Sequence, residues 1–193
     1  MIICEDMKIV IEGAGEVGSH LAKMLRSEGN EITIIDDNPQ RLAAMSAYAD
    51  VETILGNPSS IKVLREAGVA EADLYIAVYP FAPQEVNIVG ALLAKRLGAA
   101  KVIARISDEE FLSAENKLLF KEMGIEMMFY PERIAADEII DFLNHNSTAE
   151  TMEFARGKLQ IAVFKLNEES PLLDLKLSEF ISTITPEDLK QFR

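Results

Sequence analysis

The sequence predicts an α/β chain: a doubly wound, six-stranded parallel sheet followed by the start of a small second α+β subdomain. Three observations predict it. Between Met7 and about Asn144, apolar runs of strand length alternate with helical patterns, the order left by βαβ units. Most of these runs are apolar almost throughout, as strands covered by helices on both faces require. Gly13, Gly15 and Gly18 span the junction of the first strand pattern with the first helix pattern, where such folds place a phosphate-holding turn.

The strand patterns are KIVIE (8–12), EITIID (31–36), VETIL (51–55), DLYIAVY (73–79), KVIARI (101–106) and EMMFY (126–130). Helices are expected over 16–28, 39–47, 59–67, 84–97, 108–123 and 132–144. The first carries Val17, Leu21, Met24 and Leu25 on an inward stripe. The second opens on Asn38-Pro39, an N-cap followed by proline where a missing N–H costs nothing. The third follows the turn GNPSS (56–60), and the fourth follows YPFAPQ. The fifth starts after Ser107, with Asp108, Glu109 and Glu110 at its positive end. Gly29, Gly68, Gly98 and Gly124 fall near helix ends, suited to a left-handed closing residue. Six strands with six helices give the expected order 3-2-1-4-5-6, a Rossmann-like sheet.

After His145 the composition shifts. A polar linker precedes two strand-like runs joined near Arg156-Gly157, of which LQIAVFKL (159–166) is the stronger. SPLLDLKLSEF and the tail TPEDLKQFR are short and polar, and about 43 residues do not easily close a core alone. The reading is a nucleotide-binding domain over 1–146, then a linker and the incomplete start of a second subdomain over 147–193.

Of 193 residues, 49% are apolar, enough for a core, while 19 basic residues face 32 acidic ones for a net charge of −13. That field repels nucleic acid and anionic lipid surfaces. Cys4 stands alone, which excludes an internal disulfide framework and a multi-cysteine metal site and fits a reducing cytosol. The longest charge-free stretch, Leu74 to Gln84, holds two prolines and falls well short of the ~20 residues a spanning helix needs. MIICED (1–6) reads as a ragged lead-in, not a signal peptide.

In the glycine loop, Gly13 permits the turn, Gly15 lets backbone approach a pyrophosphate, and Gly18 lets the first helix press on the first strand. Free N–H groups and the helix dipole favour an anion there. Asp36 ends the second strand, 18 residues after Gly18. A carboxylate there accepts from ribose hydroxyls and repels a 2′-phosphate, so NADP is disfavoured. Glu16 brings an opposing charge near the phosphates. Arg105, near the end of the fifth strand, is either a cation for a phosphate or a surface arginine paired with an acid. GNPSS either borders an adenine or is a plain turn with a helix cap.

Catalytic candidates are missing. His20 and His145 read as surface residues, no tyrosine has a lysine four places on, and neither a GxSxG elbow nor a P-loop lysine is present. Asp36-Asp37 and Glu109-Glu110 look like ribose and helix-cap residues, not acid/base dyads. The expectation is a domain that binds a nucleotide without transforming it. One alternative is an NAD-dependent oxidoreductase whose catalytic domain lies outside this chain; another is a sheet that has kept its fold and lost its ligand.

GAGEVGSHLAKML, ITIIDDNPQRL, the block DVETILGNPSSIKVLREAGVAEADLYIAV, VIARI and YPERIAADEI together resemble the TrkA-type regulatory proteins of bacterial Trk potassium uptake. Their N-terminal module is the RCK or KTN domain. The likeness spans about 140 residues, and the tail from Glu150 is similar to the opening of the family's C-terminal subdomain, so the chain reads as a fragment. The resemblance implies nucleotide contacts from Gly13, Ala14, Gly15, Glu16, Val17 and Gly18. To these it adds Asp36 at the end of the second strand, Asp37 and Arg41 after it, and Gly56 and Asn57 after the third. Val78, Tyr79 and Asn87 around the fourth strand and Arg105 on the fifth complete the set. NAD or NADH is the implied ligand, with ATP, ADP or AMP as alternatives.

Further implications are a homodimer through the last helix, a higher ring, and a cytoplasmic position at the inner face of the plasma membrane. The implied partner is a membrane-embedded potassium-translocating subunit of the TrkH or TrkG kind. One departure falls on the distal contacts of the nucleotide: where the family reads close to T-x-x-D-E-x-N, this chain has YPFAPQEVN, with Pro80, Pro83 and no match to the Asp. Glu85 and Asn87 remain. The last helix spreads Ile134, Ala135, Ile139, Ile140, Phe142 and Leu143 over an arc wider than one sheet face needs. That surplus suits a partner helix, or packing on its own sheet beneath a missing domain.

Overall fold

The computed structural model describes residues 7–48, 50–80, 84–144, 149–154, 159–164 and 176. The expectations placed on Cys4 and the lead-in, on Pro83, on His145 and on SPLLDLKLSEF and the tail lie outside them, apart from Lys176. The chain forms two compact units, Met1–Ala135 and Ala136–Arg193.

The first unit carries a six-stranded sheet, all parallel, in the order β3-β2-β1-β4-β5-β6. Its strands are β1 (Lys8–Glu12), β2 (Glu31–Asp36), β3 (Glu52–Leu55), β4 (Leu74–Ala77), β5 (Lys101–Arg105) and β6 (Met127–Phe129). Between them run α1 (Glu16–Ser27), α2 (Pro39–Tyr48), α3 (Ile61–Glu66), α4 (Glu85–Leu97) and α5 (Ala114–Glu122). A last helix, α6 (Pro131–Asn144), begins in the first unit and continues in the second. The predicted doubly wound sheet and its strand order are therefore present, with most strands a residue or more shorter than their apolar runs.

One predicted helix divides. Asp108 accepts from the Glu110 N–H at 2.9 Å and closes a 3-10 turn over Glu109–Leu112. Ser113 then accepts from the Asn116 N–H at 3.3 Å and starts α5 afresh. Two short polar caps five residues apart each favour their own helix start. Asn38 caps α2 as expected, its side chain accepting from the Gln40 N–H at 2.9 Å. Gly29, Gly68, Gly98 and Gly124 all hold positive φ, the conformation that closes a helix without a Cβ penalty.

Successive residues of β1 point to opposite faces, so the sheet separates two apolar layers. Val10, Ile35, Tyr75, Ile88, Ala91 and Val102 lie in one layer, on the side of α3 and α4. Ile9, Ile11, Ile32, Ile34, Leu42 and Met45 form the other, beneath α1 and α2. Each fully buried isoleucine contributes about 1.5–3 kcal/mol. The second unit contains an antiparallel hairpin, β7 (Ala149–Phe154) with β8 (Leu159–Phe164), Phe154 opposite Leu159. Among the described residues no helix is long and apolar enough to cross a membrane.

Candidate functional site

Because the six strands of the sheet all run the same way, the loops after β1, β2, β3, β4 and β5 emerge at one end of it. All the predicted site residues lie there or at the helix starts just beyond. β1 leads into Gly13, whose φ of +102° is one that residues with a Cβ rarely adopt. Its N–H donates to the Ile35 carbonyl at 2.7 Å, which ties the loop to β2. A Cβ on Gly18 would stand 1.8 Å from the Gly13 carbonyl oxygen, so glycine is what lets α1 begin so close to β1. Gly15 caps α1 with no side chain to satisfy its first amide groups, leaving donors for water or an anion.

Around that loop the other residues form two clusters. In the first, Asp36 is fully buried and turned onto the loop. Its Oδ2 accepts from the Ala14 N–H at 2.7 Å, its Oδ1 from the Asn38 N–H at 2.8 Å, and Arg41 Nη1 lies 3.3 Å from both oxygens. Sequence reasoning pointed this carboxylate at a ribose; in the structure its partners are the chain's own groups. In the second cluster, the Tyr79 hydroxyl donates to Asp37 Oδ1 at 2.7 Å. Asn87 holds the Tyr79 main chain, accepting from its N–H at 2.7 Å and donating to its carbonyl at 3.2 Å. Burial and the neighbouring Asp37 push the Tyr79 phenol up to about 12, with Arg41 opposing, so it remains a donor at any physiological pH.

The remaining predicted residues are drawn in less closely. Glu16 is exposed in the first turn of α1, and the Val17 side chain packs into the layer beneath that helix. Val78 is fully buried in the same layer, its N–H donating to the Glu12 carbonyl at 2.8 Å. Gly56 donates to the Asp36 carbonyl at 3.0 Å, and a Cβ on it would meet Val63 at 2.6 Å. Asn57 accepts from the Ser59 N–H at 2.8 Å, the geometry of a turn leading into α3. Arg105 pairs with Glu132 at the start of α6, the acid-paired alternative of the two raised by the sequence. A cavity of about 280 Å³ opens at the opposite end of the sheet, lined by Lys8, Glu31, Glu52, Glu66 and Glu71 among others. Its carboxylates repel phosphate.

Sequence reasoning missed Glu12. This last residue of β1 is fully buried and shares a face with Val10, opposite α4. Its Oε2 accepts from the Tyr75 hydroxyl at 2.7 Å, while its Oε1 is buried with no partner. α4 approaches so closely that a Cβ on Gly90 would stand 2.1 Å from Glu12 Oε2. Burial raises the carboxyl from its ordinary 4.5 to about 8, with the Tyr75 hydrogen bond working against that rise, so it is protonated at neutral pH. Burial and the Glu12 charge likewise hold Tyr75 well above 10. The available signal was the period-two register that sets Glu12 beneath the same helix as Val10.

Comparison with known proteins agrees with this architecture. The Trk system potassium uptake protein TrkA of Haemophilus influenzae is 37% identical over 176 residues, which make up 90% of this chain and 38% of that protein. The chain thus spans well under half of that relative's length. The solved TrkA-N domain of the inner membrane protein ybaL from Escherichia coli shares 19% identity at a TM-score of 0.61, covering 73% of this chain and 99% of that one. A structure of the GsuK channel bound to NAD shares 20% identity at 0.59, covering 84% and 28%. At such identities the two structures establish a shared fold. The model of the TrkA-N domain matches residues 9–131, and on that match this chain belongs to the TrkA-N family.

Proposed function

We propose that this chain is the nucleotide-sensing part of a cytosolic regulatory subunit that gates a membrane potassium uptake system, and that it performs no catalysis. The observation that carries the proposal is the start of α1: a helix N-terminus capped by glycine, with no side chain on its first amides, in a chain of the TrkA-N family. Those amides, from Gly15 to Gly18, would hold a diphosphate. Asp36 and Asp37 place negative charge where a 2′-phosphate would lie, which favours NAD or NADH over NADP. ATP, ADP and AMP share the adenosine and phosphate that the loop addresses. Because the Asp36 carboxylate is buried, ribose hydroxyls reach it only if Asn38 or Arg41 yields.

The proposal extends to architecture. Residues 1–146 are the binding domain and 147–193 the linker and the opening of a second subdomain. α6 exposes Ile134, Ile139, Ile140 and Phe142 and would pair with its copy in a homodimer, the unit of a larger ring. That ring would sit at the inner face of the plasma membrane against a TrkH- or TrkG-like subunit. Nucleotide and gate would then be linked by a coupling free energy, each shifting the other's equilibrium.

A thermal-shift panel of NAD, NADH, NADP, ATP, ADP and AMP tests the binding step. A ligand at a hundred times its Kd adds about 2.7 kcal/mol of stability; selective stabilisation by NAD(H) or an adenine nucleotide is expected, with little from NADP. No shift with any of them would refute the proposal. Steady oxidation of NADH would replace it with the oxidoreductase alternative.

A further inference from the structure

Beyond β4 the chain folds back over the glycine-rich loop. The Tyr79 side chain reaches from the end of β4 past β1 to the far side, where it meets Asp37 beyond the end of β2. A Cβ on Gly13 would stand 2.7 Å from the Tyr79 Cα, and one on Gly15 would stand 2.5 Å from the Pro80 Cγ. The space that the two glycines leave open by lacking side chains is thus filled by the chain's own next residues. Asn87 fixes the Tyr79 backbone from α4 through two hydrogen bonds, whereas the phenol to Asp37 contact is exposed. The second is the weaker tie, since an exposed hydrogen bond exchanges readily with water.

We propose that Tyr79 and Pro80 form a latch over the glycine-rich loop, closed by the Tyr79 to Asp37 hydrogen bond, which a nucleoside diphosphate or dinucleotide must open to seat its phosphates. The latch rests on the nucleotide-binding reading above. It makes Tyr79 a residue that governs access: affinity is reduced by the fraction of molecules in which the latch is shut. The residue that closes the latch is also the acid beside the sugar-binding end of the loop, so a ligand arriving there competes with Tyr79 for the same carboxylate.

The test is Tyr79→Phe, which keeps the ring and the Asn87 clamp and removes only the hydroxyl. Titrated calorimetrically with NADH and with ADP, the variant is expected to bind about three- to tenfold more tightly than the parent, the size of one surface hydrogen bond to a carboxylate. Pro80→Ala should also tighten binding by uncovering Gly15. In an Asp37→Ala background, Tyr79→Phe should add nothing, because the bond it removes is already gone. Without ligand, Tyr79→Phe should melt slightly lower than the parent. If the parent binds and Tyr79→Phe binds equally or more weakly, the latch is refuted while nucleotide binding stands. If neither parent nor variants bind NADH or ADP, the nucleotide reading fails and the latch fails with it.

Discussion

Glu12→Gln should make this protein more stable at and above neutral pH and flatten its loss of stability as pH rises from about 4.5 to about 8. The folded protein holds the Glu12 carboxyl fully buried, and burial raises it from 4.5 to about 8. The unfolded chain releases that proton near the ordinary value. Between pH 4.5 and 8, therefore, the folded state carries a proton that the unfolded state has lost, and stability falls as pH rises. Below 4.5 the contribution is intact; above 8 nothing more is lost. At about 1.4 kcal/mol per pH unit the whole window is worth about 5 kcal/mol, and about 3 kcal/mol of it has gone by pH 7.

Glutamine preserves the shape and can accept from Tyr75, but it places an amide N–H where Oε1 now has no partner, at a penalty of about 1–2 kcal/mol. The variant should accordingly be slightly less stable than the parent at pH 4.5, equal to it between about pH 5 and 6, and more stable by about 3 kcal/mol at pH 8. With no tryptophan in the chain, urea unfolding followed by far-ultraviolet circular dichroism across that range is the assay. A difference between the two proteins that stays constant with pH would refute the reasoning, because it would mean that Glu12 does not hold its proton in the folded state.

Three further outcomes follow from the geometry. Asp36→Ala removes a buried acceptor from the Ala14 and Asn38 amides and from Arg41. It should lower unfolding stability by about 2–4 kcal/mol as well as weaken nucleotide binding, and an unchanged urea midpoint would contradict the tie between loop and β2. Gly18→Ala drives a Cβ into the Gly13 carbonyl and should cost about 3 kcal/mol or more; a normal melting temperature would show that α1 can back away from β1. Phe142→Asp puts a charge on an exposed apolar residue of α6, 75% accessible. It should shift the mass measured by light scattering from that of the proposed dimer to that of a monomer, and an unaltered dimer mass would move the proposed contact elsewhere.

The sheet was legible because its information is local. Each strand is a short apolar run, each helix a periodic one, and Asn38 and the closing glycines mark ends within a few residues of the groups they satisfy. The break at Ser113 was missed although its cap lies in the sequence, because the carboxylates before it offered a competing helix start. The directions of side chains at the loop were not legible. Tyr79 and Asp37 are 42 residues apart, and Glu12 and Tyr75 are 63 apart; nothing in either neighbourhood announces the other. Asp36 shows the limit most clearly: its position at the end of β2 was readable, but whether its oxygens face a ligand or the Ala14 amide depends on how β1 and β2 bring their ends together.

The common direction of the six strands sorts the chain into two kinds of connector. Those that follow a strand gather on one rim, where recognition can be built; those that precede a strand gather on the other and only return the chain. A segment such as the one after β4 can therefore be rewritten in length and composition without rethreading the interior. Diversity at the rim and economy in the layers beneath it are two results of one topological choice.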